Sequence, residues 1–257
     1  MNDMNLIEAK KLNVFYENTH ALEDISFELD EGDFLCIVGE NGSGKSTLVK
    51  TLLGLVKLKS GELKIHADLK NDDFGYLPQV GPLQKDFPAS VSEVVLSGCV
   101  NKHKFRPFFN QSEKSCARDN MTKLDIFHLR RKAFRDLSGG QKQRALIARA
   151  LCASNKILLL DEPATGLDPD ATESLYGLIK KLNKEFGVTI IMITHDIRDG
   201  LFDANKVLHL QRNVLFYGTP KDYQNNFLHN CPREELGYQR KLKQGGRLKH
   251  GGGLEHA

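Results

Sequence analysis

Phe34-Leu35-Cys36-Ile37-Val38-Gly39-Glu40-Asn41-Gly42-Ser43-Gly44-Lys45-Ser46-Thr47 is the stretch that decides the fold. Its first five residues are apolar throughout, which predicts a strand covered on both faces, as in a parallel sheet. Gly39 to Ser46 fits G-x-x-x-x-G-K-[S/T]. From Lys45 to Val56 the chain reads as a helix. A glycine turn between a strand and a helix is the setting of a phosphate cradle. Glycines let the backbone curl so that successive N–H groups point inward, and the helix start adds partial positive charge. In that setting Gly39, Asn41, Gly42, Ser43, Gly44 and Thr47 surround the phosphates. Lys45 reaches the β- and γ-phosphates, and the Ser46 hydroxyl ligates Mg²⁺.

Upstream, Ile25-Ser26-Phe27-Glu28-Leu29 alternates apolar with polar residues, as a strand with one wet face does. Leu63 and Ile65, between Glu62, Lys64 and His66, repeat the alternation. Downstream, Pro82 to Asp136 is less regular. It carries Pro88, Pro107 and a basic patch (Lys102, His103, Lys104, Arg106) read as a solvated face, and it predicts a mostly helical subdomain over about 82–152. Ser138 and Gln141 form a capping box for a helix marked by Leu146, Ile147, Ala150 and Leu151. Ile157-Leu158-Leu159-Leu160 is a second fully apolar strand. Asp168-Pro169 supplies an N-cap and a first-turn proline for a helix with the buried stripe Leu175, Leu178, Ile179, Leu182 and Phe186. Val188 to Ile193 is a third apolar strand, and Val207–Leu210 and Val214–Tyr217 flank a hairpin turn. Strands alternating with helices predict an α/β domain around a partly parallel sheet. That domain spans 5–231. The polar, glycine-rich residues 232–257 have almost nothing to bury and predict a loose tail.

The second strand ends in Asp161 and Glu162. A buried strand delivers both acids to the edge of the sheet. Asp161 then holds Mg²⁺, directly or through water. Glu162 projects towards the nucleophile side, where it orients and deprotonates an attacking water, a role worth roughly 10²–10⁴ in rate. Without Lys45 and Ser46 the same pair would read as caps of the next turn.

The chain has 257 residues, 40% hydrophobic and 27% charged, enough to bury a core. A net charge of +3, spread along the sequence, gives no case for nucleic acid as a partner. No apolar run approaches the roughly 18 residues of a membrane-spanning helix, and Met1–Lys10 lacks a signal-peptide core. The expectation is a cytoplasmic protein, held at a membrane by another subunit if it works there. Five cysteines, none at a CxxC spacing, argue for reduced thiols and against a disulfide framework or structural zinc. His229, His250 and His256 are too irregularly spaced for a metal site.

Leu137-Ser138-Gly139-Gly140-Gln141, with the phosphate loop before it and Leu158-Leu159-Leu160-Asp161-Glu162-Pro163 after it, resembles the signature of the ATP-binding cassette (ABC) ATPases. The resemblance runs from about Leu6 to Pro220. It implies a P-loop NTPase fold with a mixed or parallel β-sheet core, an N-terminal antiparallel β subdomain and a helical signature subdomain. It implies ATP and Mg²⁺ as cofactors. Tyr16 looks like the aromatic that stacks on adenine, with Phe15 as the rival candidate. Gln79 looks like the glutamine that touches Mg²⁺ and the γ-phosphate, Asp168 like the D-loop aspartate, and His195 like the histidine that holds the γ-phosphate. Ser138, Gly139, Gly140 and Gln141 open a helix, and in the family that anion site faces ATP bound to a second copy packed head-to-tail.

A single cassette of this kind is similar to the separately encoded ATPase of a bacterial importer. Two copies would dock beneath integral membrane permease subunits on the cytoplasmic face, with a solute-binding protein as an indirect partner. Phe87-Pro88-Ala89-Ser90-Val91-Ser92-Glu93-Val94-Val95 and the opening Val14–Leu29 resemble the ATPases of zinc and manganese importers, zinc first. Iron complexes, other small solutes, an exporter's ATPase and a soluble ABC ATPase remain as alternatives.

Overall fold

The computed structural model describes residues 5–16, 19–66, 73–79, 88–102, 108–154, 156–195 and 203–225. Strands β1 (Asn5–Tyr16) and β2 (Thr19–Asp30) pair antiparallel, and β4 (Ser60–Ile65) pairs on the other side of β1. The alternation read at Ile25–Leu29 holds, with Ile25, Phe27 and Leu29 buried and Ser26 and Glu28 exposed. Both long strands carry register shifts, and Lys11 and Asp24 take left-handed φ of 46° and 49° where the ladder breaks.

The second sheet has the order β5-β6-β7-β3-β8-β9. Its strands are β3 (Phe34–Val38), β5 (Phe74–Leu77), β6 (Ile157–Asp161), β7 (Thr189–Ile193), β8 (Lys206–Gln211) and β9 (Asn213–Gly218). The first five run parallel, and β9 returns antiparallel to β8. Every residue of β3 and β7 and the first four of β6 are buried, so the unbroken apolar runs do mark strands covered on both faces. The expected hairpin turns at Arg212, with φ 66°.

Helix α1 (Lys45–Leu52) stops short of the expected Val56. Gly54, at φ 69°, donates its N–H to Thr51, and the Leu55 N–H reaches Lys50 at 2.8 Å. That pair of bonds closes the helix on a left-handed glycine. Leu48, Val49 and Leu52 of α1 share one apolar cluster with Leu22, Ile25 and Phe27 of the first sheet and Leu35, Ile37, Leu159 and Ile191 of the second.

The middle of the chain is helical: α2 (Val91–Leu96), a 3₁₀ turn (Ser97–Lys102), α3 (Gln111–Lys123) and α4 (Gly139–Ala153). Ser90 with Glu93 and Asn110 with Glu113 form capping boxes that start α2 and α3, and Ser138 with Gln141 caps α4 as expected. Asp168 caps α5 (Pro169–Lys184), with Pro169 in the first turn. The stripe of α5 is narrower than expected. Leu175, Ile179 and Leu182 are buried and Leu178 is half-buried. Phe186 lies past the helix end, exposed, with the Lys123 ammonium 4.7 Å over its ring.

A polar knot around the buried Asp33 fixes the start of β3. Asn205 Oδ1 accepts from the Phe34 N–H at 2.7 Å while its Nδ2 donates to Asp33 at 2.7 Å. Lys206 reaches Asp33 at 2.7 Å and Asp30 at 2.8 Å. Burial opposes the Lys206 charge, but the hydrogen bonds to Asp30 and Asp33 prevail and raise its pKa above the usual lysine value. Cys36 is buried in β3, and burial pushes its thiol up to about 12. Asn120 Nδ2 lies 3.5 Å from Cys116 Sγ and 3.4 Å from Cys152 Sγ.

Two compact units are present, Met1–Pro220 and Lys221–Ala257. Of the second, the described part is Lys221–Asn225, in and just after a helical turn, Pro220–Tyr223. The expected tail, Cys231, His229, His250 and His256, the basic residues His103, Lys104 and Arg106, and Phe87 lie outside the described residues. Among the described residues, no helix is long and apolar enough to cross a membrane.

Candidate active site

The phosphate loop leaves β3 and is shaped by three glycines at positive φ: Gly39 at 151°, Gly42 at 83° and Gly44 at 100°. Gly44 is the N-cap of α1, with ψ 0° and no side-chain cap. The first N–H groups of α1 therefore keep the orphan character that makes a helix start an anion site. The loop closes through the Ser43 N–H to Glu40 O at 3.2 Å, and Arg212 N–H holds Ser43 O at 2.8 Å. The Arg212 carbonyl in turn accepts the Glu23 N–H of β2 at 2.8 Å, so one hairpin residue ties the loop to the first sheet. Lys45 Nζ lies over the loop, 2.7 Å from both Gly39 O and Glu40 O. Burial lowers the Lys45 pKa, while Glu162, Asp161 and Glu40 pull it back up. Ser43 Oγ is buried and has no hydrogen-bond partner among the described residues. An unspent donor inside an ammonium-lined loop suits a phosphate oxygen.

Three adjacent parallel strands bring the other groups to the same edge of the sheet. In register, Leu77 of β5 faces Leu160 of β6, and Asp161 faces Ile193 of β7. Gln79, Glu162 and His195 follow directly from those strand ends. They meet at the Glu162 carboxylate. Gln79 Nε2 donates to Oε2 at 3.2 Å, and His195 Nδ1 is 3.4 Å from Oε1. Thr165 Oγ1 also donates to Oε2, at 3.1 Å. Glu162 has φ 49°, a left-handed backbone rare for a residue with a side chain. Its N–H donates to Ile193 O at 3.0 Å, which ties the kink to β7. Asp161 sits one residue back. Burial raises its pKa, the Glu162 charge raises it further, and Lys45 lowers it. An open cleft of about 820 Å³ reaches from Glu162, Thr165 and His195 to Tyr176 and Lys180.

The side chains of Ser138, Gln141 and Asp168 make local hydrogen bonds. Among the described residues, no hydrogen bond or ion pair joins Ser138–Gln141 to Gly39–Thr47. Ser138 Oγ accepts the Gln141 N–H at 3.3 Å and Gln141 Oε1 accepts the Ser138 N–H at 3.1 Å, so both side chains cap α4. Asp168 Oδ1 accepts the Ala171 N–H at 2.9 Å and caps α5. The Phe15 ring stacks on His20, with centroids 4.0 Å apart and planes 13° apart. Tyr16, 43% exposed, has no ring partner among the described residues. Two residues were missed in the sequence: Thr165, whose only signal is its place three residues past Glu162, and Arg212, which acts through its backbone and leaves no signal. For Mg²⁺ the donors fit. The Ser46 hydroxyl and the Asp161 carboxylate are hard oxygen ligands, and neither side chain makes a hydrogen bond among the described residues.

The family model described as ABC transporter matches residues 22–165, more than half of the chain and including both the phosphate loop and Glu162. The chain belongs to the ABC transporter family. Tyr16, Asp168 and His195 lie outside the matched stretch. Over 243 residues this ABC chain is 32% identical to the zinc uptake system ATP-binding protein ZurA of Listeria innocua, covering 92% of this chain and 94% of that one. It is 36% identical over 211 residues to the manganese transport system ATP-binding protein MntB of Bacillus subtilis, covering 80% and 84%. Among solved structures it resembles an ATP-binding cassette in a dimeric, post-hydrolysis state bound to ADP and phosphate. That match has a TM-score of 0.68 at 27% identity and covers 83% of this chain and 98% of that one. The chain is thus an ATP-binding ATPase of the α/β P-loop type.

Proposed function

We propose that this ATPase powers the import of a divalent metal ion, zinc or manganese, as a pair of copies under two integral membrane permease subunits. The observation that carries the catalytic half is the Glu162 carboxylate, held between Gln79 and His195 beside Lys45. ATP phosphates lie on the start of α1, with Lys45 at the β- and γ-phosphates. Ser46 and Asp161, with Gln79, would hold Mg²⁺, which when bound would supply charge neutralisation to the phosphates. Glu162 takes the proton of the attacking water. The water oxygen bonds to the γ-phosphorus as the bond to the bridging oxygen breaks, and ADP leaves. His195 holds the γ-phosphate. Tyr16, not Phe15, stacks on adenine, because Phe15 is already stacked on His20. The domain is 5–231, with 82–152 as its helical part.

The Ser138 hydroxyl proton has no acceptor among the described residues, and with Gly139 and Gly140 it opens α4 towards solvent. That supports a role in trans, against ATP held by the second copy, with Asp168 at the same junction. The resemblance to a dimeric cassette supports the same pairing. A groove of about 280 Å³ lined by Tyr76, Pro78, Ser97, Leu146 and Arg149, next to Gln79, suits a permease helix. The names of the zinc and manganese relatives support the metal.

The test has two arms. Glu162→Gln should bind ATP, lose turnover by about 10²-fold or more and stay an ATP-locked dimer by light scattering; wild-type turnover would overturn the assignment. Cells carrying Lys45→Ala, grown metal-limited, should lose zinc or manganese selectively by elemental analysis. Unchanged metal content with other importers deleted would overturn the metal reading.

A further inference from the structure

We propose that Thr165 is a positioning residue for the general base: its hydroxyl and its N–H together aim the Glu162 carboxylate at the water. This rests on Glu162 being the base. Thr165 makes two ties to one residue. Its N–H donates to Glu162 O at 3.2 Å and closes the turn. Its hydroxyl donates to Oε2 at 3.1 Å. The first tie braces the left-handed backbone of Glu162, a conformation that persists only where its surroundings hold it. The second acts on the side chain, whose torsions the backbone does not fix.

The consequence is a division of labour between the two carboxylate oxygens. Oε2 receives two donors, Thr165 and Gln79, which fill its two lone pairs. Among the described residues Oε1 has only His195, at the longer 3.4 Å. Oε1 is therefore the oxygen that takes the proton as the water attacks. Thr165 keeps its own proton throughout. Gln79 alone does not secure Oε2, because it comes from another strand end. Thr165 is on the same turn as Glu162 and moves with it. It lines the same cleft as Glu162 and His195.

The test uses the full chain with Mg-ATP and four variants: Thr165→Val, Thr165→Ser, Glu162→Gln, and Thr165→Val combined with Glu162→Gln. Thr165→Val should lower kcat about tenfold, the loss typical of a hydrogen bond to a charged group, with KM within about twofold. Thr165→Ser, which keeps the hydroxyl, should stay within about twofold of wild type in kcat. In the Glu162→Gln background, Thr165→Val should cost less than about twofold more, because no base remains to be aimed. A Thr165→Val kcat near wild type, a fall in KM affinity instead of kcat, an equal tenfold loss on top of Glu162→Gln, or a Ser variant as poor as Val would each overturn the proposal. Wild-type turnover in Glu162→Gln alone would overturn the base assignment itself, which separates that failure from a failure of Thr165.

Discussion

Gly42 and Gly44 share the phosphate loop and the sign of φ, 83° and 100°, yet the space around them differs. A Cβ on Gly42 would meet nothing within 4 Å. A Cβ on Gly44 would lie 2.7 Å from Leu22 Cδ2 and 2.8 Å from the backbone oxygen of Ala21. Alanine at either position pays the left-handed penalty, about 1–2 kcal/mol. It regains about 0.4–1 kcal/mol because the unfolded chain is stiffer. Gly42→Ala should therefore lose only about 0–1.6 kcal/mol of stability. Gly44→Ala must also push against β2, where Leu22 is fully buried and the Ala21 carbonyl belongs to the backbone. Overpacking of that kind adds about 1–3 kcal/mol, for a total of roughly 1–4.6. Urea unfolding of the nucleotide-free chain measures both, and an unchanged m-value keeps the comparison clean. Equal losses in the two variants, within about 0.5 kcal/mol, would refute the reasoning, since they would mean that β2 does not back the loop.

Lys206→Met should destabilise the chain by about 3 kcal/mol at pH 7, because Asp33 is left buried without its cation. The folded pKa of Lys206 is raised, so its contribution is complete below the unfolded lysine value near 10.4 and fades as pH rises towards the folded one; a gap between wild type and variant that stays constant from pH 7 to pH 11 and beyond would contradict this. Tyr16→Ala should weaken binding of a fluorescent ATP analogue roughly 5- to 150-fold, the worth of one stacked base, while Phe15→Ala changes it little; the reverse order would exchange their roles. Iodoacetamide at pH 8 should leave Cys36 unlabelled in the folded chain and label it in urea, and fast labelling without denaturant would contradict its burial.

What was legible in the sequence had a local cause. The glycine loop, the caps at Ser138 and Asp168 and the apolar runs of β3, β6 and β7 each depend on residues a few positions apart. The caps of α2 and α3 were equally local, Ser90 with Glu93 and Asn110 with Glu113, and went unread because the region between them carries few apolar repeats. Other features have no local cause. β3 lies between β7 and β8, and β4 returns to β1, pairings set by packing across the chain. Phe186 matched the helical period, but α5 had already ended at Lys184. Within the site, the kinds of residue at Gln79, Glu162 and His195 were legible. Their meeting point was not, since it depends on the order of β5, β6 and β7.

The double tie through Arg212 has a consequence for how the chain is made. The phosphate loop emerges early from a ribosome, but the N–H that holds Ser43 O and the carbonyl that holds the Glu23 N–H belong to a residue synthesised near the end of the first unit. A nascent chain cannot adopt the finished loop until the β8–β9 hairpin has left the exit tunnel. Nucleotide, which stabilises only a state able to bind it, therefore cannot assist folding during most of translation. It acts as a late lock, closing on a chain whose two sheets have already met.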